Sequence, residues 1–418
     1  MTAAAPPRAS GAFIAAYWVA QCGNWLGLVT PVALTIAVRV AQIADPAQKM
    51  SQLGLILGIG ALASIIATPI WGHISDRTRA RIGRRKLWMI VGVAGGGAGL
   101  LLMSATQNIV VFGGGWVIAQ VGFNANQAAL NALLPDHVPE EQRGRVSGLL
   151  GLTVIVAVVI GTFMTQFTAS NPYLLFLAPW LGTVLSLVVI LPMFRDGPAP
   201  AALDASGGIN DLLGSLSINP REHPDFYWAW ISRFLFFMGM AYLQVYAVYF
   251  LSDRLKLPMS EVPRMIFING SIGAAITVAL SPLAGWLSDR TGRRKPYVIG
   301  AAVIGGIGLV SIGVAQTVTQ FMIGSAIAGI GMSVYYAVDL ALVVAVLPNP
   351  ENGAKDMGIF QIANTLPQSL APVIAPIFLA IGSVQGGNYP AVFIAASAFV
   401  LAGAAAVIPI KERIIGLT

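Results

Sequence analysis

The chain has 418 residues, a formal net charge of +7, 56% hydrophobic residues and only 10% charged ones. A soluble domain carries about 25% charged residues, so too little polar material is present to cover a water-facing surface, and a soluble globular protein is excluded. The positive charge sits in short loops, which argues against a nucleic-acid partner, and the single cysteine, Cys22, rules out an intrachain disulfide.

About 20 apolar residues cross the hydrocarbon core of a bilayer. By that measure the chain is an all-α polytopic membrane protein with twelve predicted spans. The start, MTAAAPPRASGAF, holds one basic residue and no clear cleavage signal, so the first apolar run, 11–38, is read as a retained helix. It carries Tyr17, Gln21 and Asn24 at helical spacing. The second span covers 52–73 and leads into GHISDRTRARIGRRK, Gly72 to Lys86. The third and fourth cover 87–105 and 108–134. The fourth aligns Gln120, Asn124, Gln127 and Asn131 at i, i+4, i+7 and i+11, which is one face. The fifth and sixth cover 146–168 and 173–194.

A stretch rich in Pro, Gly, Ala and Asp follows at 195–225. It is the expected cytoplasmic linker between two six-helix halves, 1–194 and 226–418, and its NDLLGSL segment is a candidate surface helix. The second half repeats the plan with spans 226–251, 265–287, 296–316, 319–347, 357–382 and 389–410. Its loop GWLSDRTGRRK, Gly285 to Lys295, matches the first at Gly72/Gly285, Ser75/Ser288, Asp76/Asp289 and Arg77/Arg290, a constant offset of 213 residues. Leu134-Pro135 and Leu347-Pro348 share that offset. Duplicated halves are a transporter signature, with a solute site expected near the midplane.

With the N-terminus inside, 18 of the 24 basic residues fall in cytoplasmic segments. Five (Arg39, Lys49, Arg254, Lys256 and Arg264) fall in outer loops. This bias places both termini in the cytoplasm of a cell or inner membrane.

The paired loops resemble the signature of the major facilitator superfamily. Its expected conformational gate residues here are Gly72, Asp76, Arg77, Gly83, Arg84 and Arg85, and Gly285, Asp289, Arg290, Gly292, Arg293 and Arg294. Glycine at a helix end allows close approach of a neighbour, and the carboxylate can accept from backbone or arginine. A rival reading is that the arginines only set topology. The longer first loop, DRTRARIGRRK, resembles the sucrose–proton symporters and the wider glycoside–pentoside–hexuronide group. So do WISRFLFFMG, YYAVDLALVVAVLP and AKDMGIFQIANTLPQSLAP. The acids that melibiose-type members carry in spans 2 and 4 are missing, and the span 4 stretch FNANQAALNALLPD offers only amides in its core. The resemblance therefore does not carry over a coupling ion.

Spans 1, 4, 7 and 10 usually line the cavity in this superfamily. The candidate solute-contacting residues are Tyr17, Gln21, Asn24, Gln120, Asn124, Gln127, Asn131, Gln244, Tyr335, Tyr336 and Asn364. Neutral amides, hydroxyls and aromatic faces suit a sugar-like polyol; the rival role is helix-to-helix glue. Asp339 is the one acid deep in a span and Arg233 the one deep base. Each falls about 10–12 Å from the cytoplasmic end of its span at 1.5 Å per residue, so the two are expected to pair. A buried charge needs a partner, water or a proton. The pair is either a proton-operated switch or a fixed structural bridge.

No G-x-x-x-x-G-K-[ST] loop points to ATP drive. His73, His137 and His223 fall at helix ends or in loops, and zinc-type cysteine–histidine spacing is missing. Neither cofactor nor metal is expected. The expected activity is secondary transport of a small solute, most often a sugar, coupled to protons, by a monomer in the lipid bilayer. Efflux of a drug or metabolite is the alternative.

Overall fold

A computed structural model describes residues 8–197, 221–344, 346, 353–383 and 387–410. Among them lie twelve helices long and apolar enough to cross a membrane, and no strand. They are α1 (Gly11–Ile43), α2 (Lys49–Arg77), α3 (Arg84–Ala105), α4 (Ile109–His137), α5 (Glu140–Thr168), α6 (Pro172–Met193), α7 (Pro224–Arg254), α8 (Val262–Thr291), α9 (Lys295–Gly313), α10 (Val318–Val343), α11 (Ile362–Leu379) and α12 (Tyr389–Val407).

The helices run past the predicted spans at several ends. α1 continues to Ile43, and α2 takes in both Lys49 and Arg77. A helix does not stop where the hydrocarbon stops; it stops where a cap satisfies its last backbone groups. Asn108, Asn171 and Asn388 accept from the first backbone N–H groups of α4, α6 and α12. Arg39, expected in an outer loop, lies within α1. It is 7% exposed and donates to the Thr106 carbonyl at 2.9 Å, bracing the far end of α3. The helix around α11 begins at Gly353. NDLLGSL, Leu347-Pro348, Lys411 and Arg413 lie outside the described residues, as do the side chains of Lys355 and Gln361.

The chain divides into two compact units, Met1–Ser206 and Gly207–Thr418. In the first, α3 packs on α4 and α6, α2 on α4, and α1 on α5 and α6. In the second, α9 packs on α10 and α12, α8 on α10, and α7 on α11 and α12. Each pairing recurs six helices later, so the repeat read from the loops extends to the packing plan.

Small residues drive the closest contacts, as expected where no hydrophobic effect operates between helices. A Cβ on Gly122 of α4 would stand 2.3 Å from the Gly96 nitrogen of α3. One on Gly308 of α9 would stand 2.3 Å from the Ala328 nitrogen of α10. Among the described residues two π-helical turns occur, Pro31–Thr35 within α1 and Phe250–Arg254 closing α7. At Pro31 the cause is local, because proline offers no N–H to the preceding turn.

Candidate functional site

The first loop closes on one arginine. α2 ends at Arg77 and α3 starts at Arg84, so Asp76 faces Arg85 across the turn: Arg85 Nη2 meets Asp76 Oδ1 at 2.7 Å. Arg85 Nε also meets Asp136 Oδ2 of α4 at 2.9 Å, Arg84 Nη2 meets the same oxygen at 3.1 Å, and Arg85 Nη1 donates to Ser75 Oγ at 2.9 Å. Arg77 contacts His73 one turn back. Gly83 adopts φ +113°, open to glycine at no steric cost. Its missing side chain admits Asp196, which accepts from the Arg85 and Lys86 N–H groups at 2.7 and 2.8 Å. A carboxylate at a helix N-terminus satisfies orphan donors and opposes the positive end of the dipole.

The second loop is built differently. Gly292 takes the left-handed conformation, φ +63°, and caps α8. Arg294 Nη1 donates to the Ala341 carbonyl of α10 at 2.6 Å, and the Arg290 guanidinium lies 5.3 Å over the Trp286 ring. Asp289 and Arg293 are exposed. Lys295 Nζ donates to the Ile408 and Ile410 carbonyls, both at 2.7 Å. The close approach expected at Gly72 and Gly285 is not made: a Cβ at either would meet nothing within 4 Å.

The amides of the first unit join in one hydrogen-bonded chain between α1 and α4. Gln21 Nε2 donates to Asn131 Oδ1 (3.2 Å), Gln127 Nε2 to Gln21 Oε1 (3.0 Å) and to Asn131 Oδ1 (2.7 Å). Asn24 Nδ2 donates to Gln127 Oε1 (2.6 Å), and Asn126 Nδ2 to Asn24 Oδ1 (2.7 Å). Toward α2, Asn124 donates to Gln120 Oε1 (3.1 Å) and accepts from Ser64 and Thr68 at 3.1 and 2.9 Å. Tyr17 gives its hydroxyl proton to the Leu130 carbonyl at 2.7 Å. The single stripe on α4 thus serves two neighbours. Most of its hydrogen-bonding capacity is spent within the unit, and Asn131 is the exposed end of the chain.

The second unit holds an ion pair deep within its spans. Arg233 of α7 and Asp339 of α10 form an ion pair through Nη1 and Oδ2, with side chains 8% and 2% exposed. The guanidinium lies 4.4 Å over the Phe360 ring and 5.0 Å over Phe237. Tyr335 stacks on Phe236 at 3.6 Å and is buried, while Tyr336 packs against Phe237 at 5.4 Å and is exposed. Gln244 is exposed, and Asn364 Oδ1 is buried without a protein partner. No group of three or more metal-ligating side chains occurs among the described residues.

Four participants were not singled out from sequence. Asp136 follows the repeated Leu-Pro pair and Asp196 opens the linker, each a polar residue just beyond an apolar run. Asn126 sits two residues from Asn124, off the stripe that periodicity picks out. Ser232 precedes Arg233, and its buried hydroxyl meets that of Tyr335 on α10.

The family model described as Major Facilitator Superfamily matches residues 13–281 and 268–414. The chain is 24% identical over 289 residues to the multidrug resistance protein MdtG of Klebsiella pneumoniae (strain 342), covering 65% of this chain and 65% of that one. The match therefore spans less than two thirds of that relative's length. In fold the chain is similar to the nucleoside transporter NupG, with a TM-score of 0.77 at 10% identity, covering 95% of this chain and 99% of that one. It is similar also to a D-xylose–proton symporter, with a TM-score of 0.72 at 16% identity, covering 96% and 99%. At these identities the likeness is one of fold.

Proposed function

The chain belongs to the major facilitator superfamily, and on that premise we propose that this secondary transporter is proton-coupled, with Asp339 and Arg233 as its switch. The observation that carries the proposal is the buried ion pair walled by Phe237 and Phe360. In that setting a proton on Asp339 removes one charge of the pair and leaves Arg233 to find another partner. A conformation that suits the free guanidinium then gains population. The aromatic faces add attraction to the cation.

For the solute, two readings stand. Efflux of an amphipathic organic solute is supported by the similarity to MdtG and by aromatic surfaces around the pair. Uptake of a sugar-like solute is supported by the free amide ends at Asn131, Gln244 and Asn364. The internal pairing of the other amides tilts the balance to efflux. The proposed setting is a cell or inner membrane with both termini cytoplasmic and one chain as the working unit. The paired loops are proposed as the gates.

Purified protein in liposomes loaded with a pH-sensitive dye tests this. Sugars and amphipathic cations are added in turn, with Asp339→Asn beside wild type. Solute-dependent proton flux in wild type and its loss in the variant is the expected result. Solute movement at an unchanged pH dependence in Asp339→Asn would overturn the switch.

A further inference from the structure

The Arg233 guanidinium meets groups from three helices. Asp339 of α10 is its anionic partner. Phe237 lies one turn on along α7 itself, with its ring 5.0 Å away. Phe360 comes from the helix Gly353–Leu379 that contains α11; its ring is closer, at 4.4 Å, and fully buried. The register that brings it there is fixed by its chain neighbour. Trp230, one turn before Arg233 on α7, donates its Nε1–H to the Ile359 carbonyl at 3.0 Å. Trp230 in turn stacks on Phe234 at 5.5 Å, and Phe226 backs the Phe360 ring at 6.3 Å.

The face of an aromatic ring attracts a cation and repels an anion. Beside the ion pair these effects oppose each other, because the carboxylate stands next to the guanidinium. Once Asp339 takes a proton, the opposing charge is gone and the attraction of the cation for the ring remains. The ring therefore acts more strongly in one protonation state than in the other, which is what shifts an equilibrium. Burial enlarges the difference, since desolvated contacts of this kind are the strong ones. The other groups facing Asp339 are few. On its own helix, the Tyr335 hydroxyl bonds to the Asp339 carboxylate and to the Ser232 hydroxyl of α7, and Tyr336 lies beside Tyr335. From α9, Arg294 donates to the Ala341 carbonyl two residues on. From α8, Thr277 and Ser281 bond to Ser333, farther along α10.

We propose that Phe360 is a positioning residue for the switch: its ring receives the Arg233 guanidinium when Asp339 is protonated, and so helps set the pH at which the pair opens. The proposal rests on the coupling role of Asp339 given above. It ties a proton event on α10 to a third helix, because the ring that takes the cation belongs to neither partner's helix. Phe360 acts through Arg233 and does not itself exchange a proton.

Infrared difference spectra between high and low pH, recorded in lipid on the full chain, test the idea without a known solute. The protonated carboxyl band of Asp339 is identified by its loss in Asp339→Asn. Its midpoint is followed in wild type, in Phe360→Leu, in Phe360→Trp and in a chain carrying trifluorophenylalanine at position 360. The fluorines keep the shape of the ring and withdraw charge from its face. In Phe360→Leu and the fluorinated chain the midpoint is expected to fall by about 0.5–1 pH unit, a three- to tenfold loss of proton affinity. Phe360→Trp, with the stronger ring face, is expected to hold it at or above the wild-type value. A midpoint unchanged or raised in both weakened chains would overturn the role of Phe360 and leave the coupling role standing. A midpoint lowered by leucine and not by fluorine would assign the effect to packing and overturn the role of the ring face. A wild type with no titrating band lost in Asp339→Asn would overturn both readings. If Phe360→Leu fails to fold, the fluorinated chain, which keeps the packing, decides the matter.

Discussion

Arg233 and Asp339 bury two opposite charges against aromatic rings, and such a pair is costly to break from one side. Removing one partner leaves an uncompensated buried charge, which costs about 3–5 kcal/mol, whereas replacing both by apolar residues of similar volume is often neutral. Arg233→Met alone is therefore expected to lower stability by about that amount. Arg233→Met with Asp339→Leu is expected to recover most of it, with proton-driven transport lost in both. Thermal unfolding in lipid and the liposome flux assay read the two effects separately; a double variant no more stable than the single would show that the charges are not what binds α7 to α10. Asp339 was legible because a lone acid in an apolar run is conspicuous, and its partner followed from matched depth. Ser232 and Asn126 were not legible. A serine beside an arginine, or an amide off the stripe, gains meaning only from what another helix brings to it.

At the scale of helices, the turn before α3 depends on an absent side chain. A Cβ at Gly83 would stand 2.2 Å from Asp196 Oδ2 at a φ of +113°. Gly83→Ala should destabilise by about 1–3 kcal/mol through strain and Asp196→Ala by about 0.5–2 kcal/mol through the lost cap. The double variant should cost less than the sum, because both changes break the same contact. Chemical denaturation of the three variants measures this, and strict additivity would separate the glycine from the cap. The amide chain gives a second test. Asn24→Leu strips a donor from Gln127 and an acceptor from Asn126. Interhelical bonds of this kind contribute about 0.6–2 kcal/mol each, so a lower melting temperature with unchanged solute selectivity is expected. Changed selectivity would return Asn24 to the solute path. The stripe on α4 was readable from spacing, but its division between α1 and α2 was not, since periodicity gives a face and not the neighbour across from it.

For the molecule as a whole, charge bias predicts the topology, and labelling can check it. Cys22 is buried, so a cysteine introduced at an exposed site is the one that reacts. Gln107→Cys, between α3 and α4, should react with an impermeant maleimide added outside intact cells. Ile82→Cys, in the first loop, should react only after the membrane is opened. The reverse pattern would invert the orientation. Span number and the duplicated plan were legible because lipid requires long apolar runs and two loops repeat one spelling. The ends of the helices were less so: Arg39 reads as a loop residue until the Thr106 carbonyl is seen to receive it.

The joint between the third helix of each unit and the end of its sixth adds something that spelling conceals. In the first unit the joint is an acid, Asp196, seated on N–H donors at the start of α3. In the second it is a base, Lys295, reaching carbonyls beyond the end of α12. The place is kept and the polarity is reversed. At this joint, kinship between the halves therefore resides in where the helices are fastened rather than in which residues fasten them. Grafting the acid of one half onto the other would set a carboxylate against carbonyl oxygens and undo the fastening it was meant to copy.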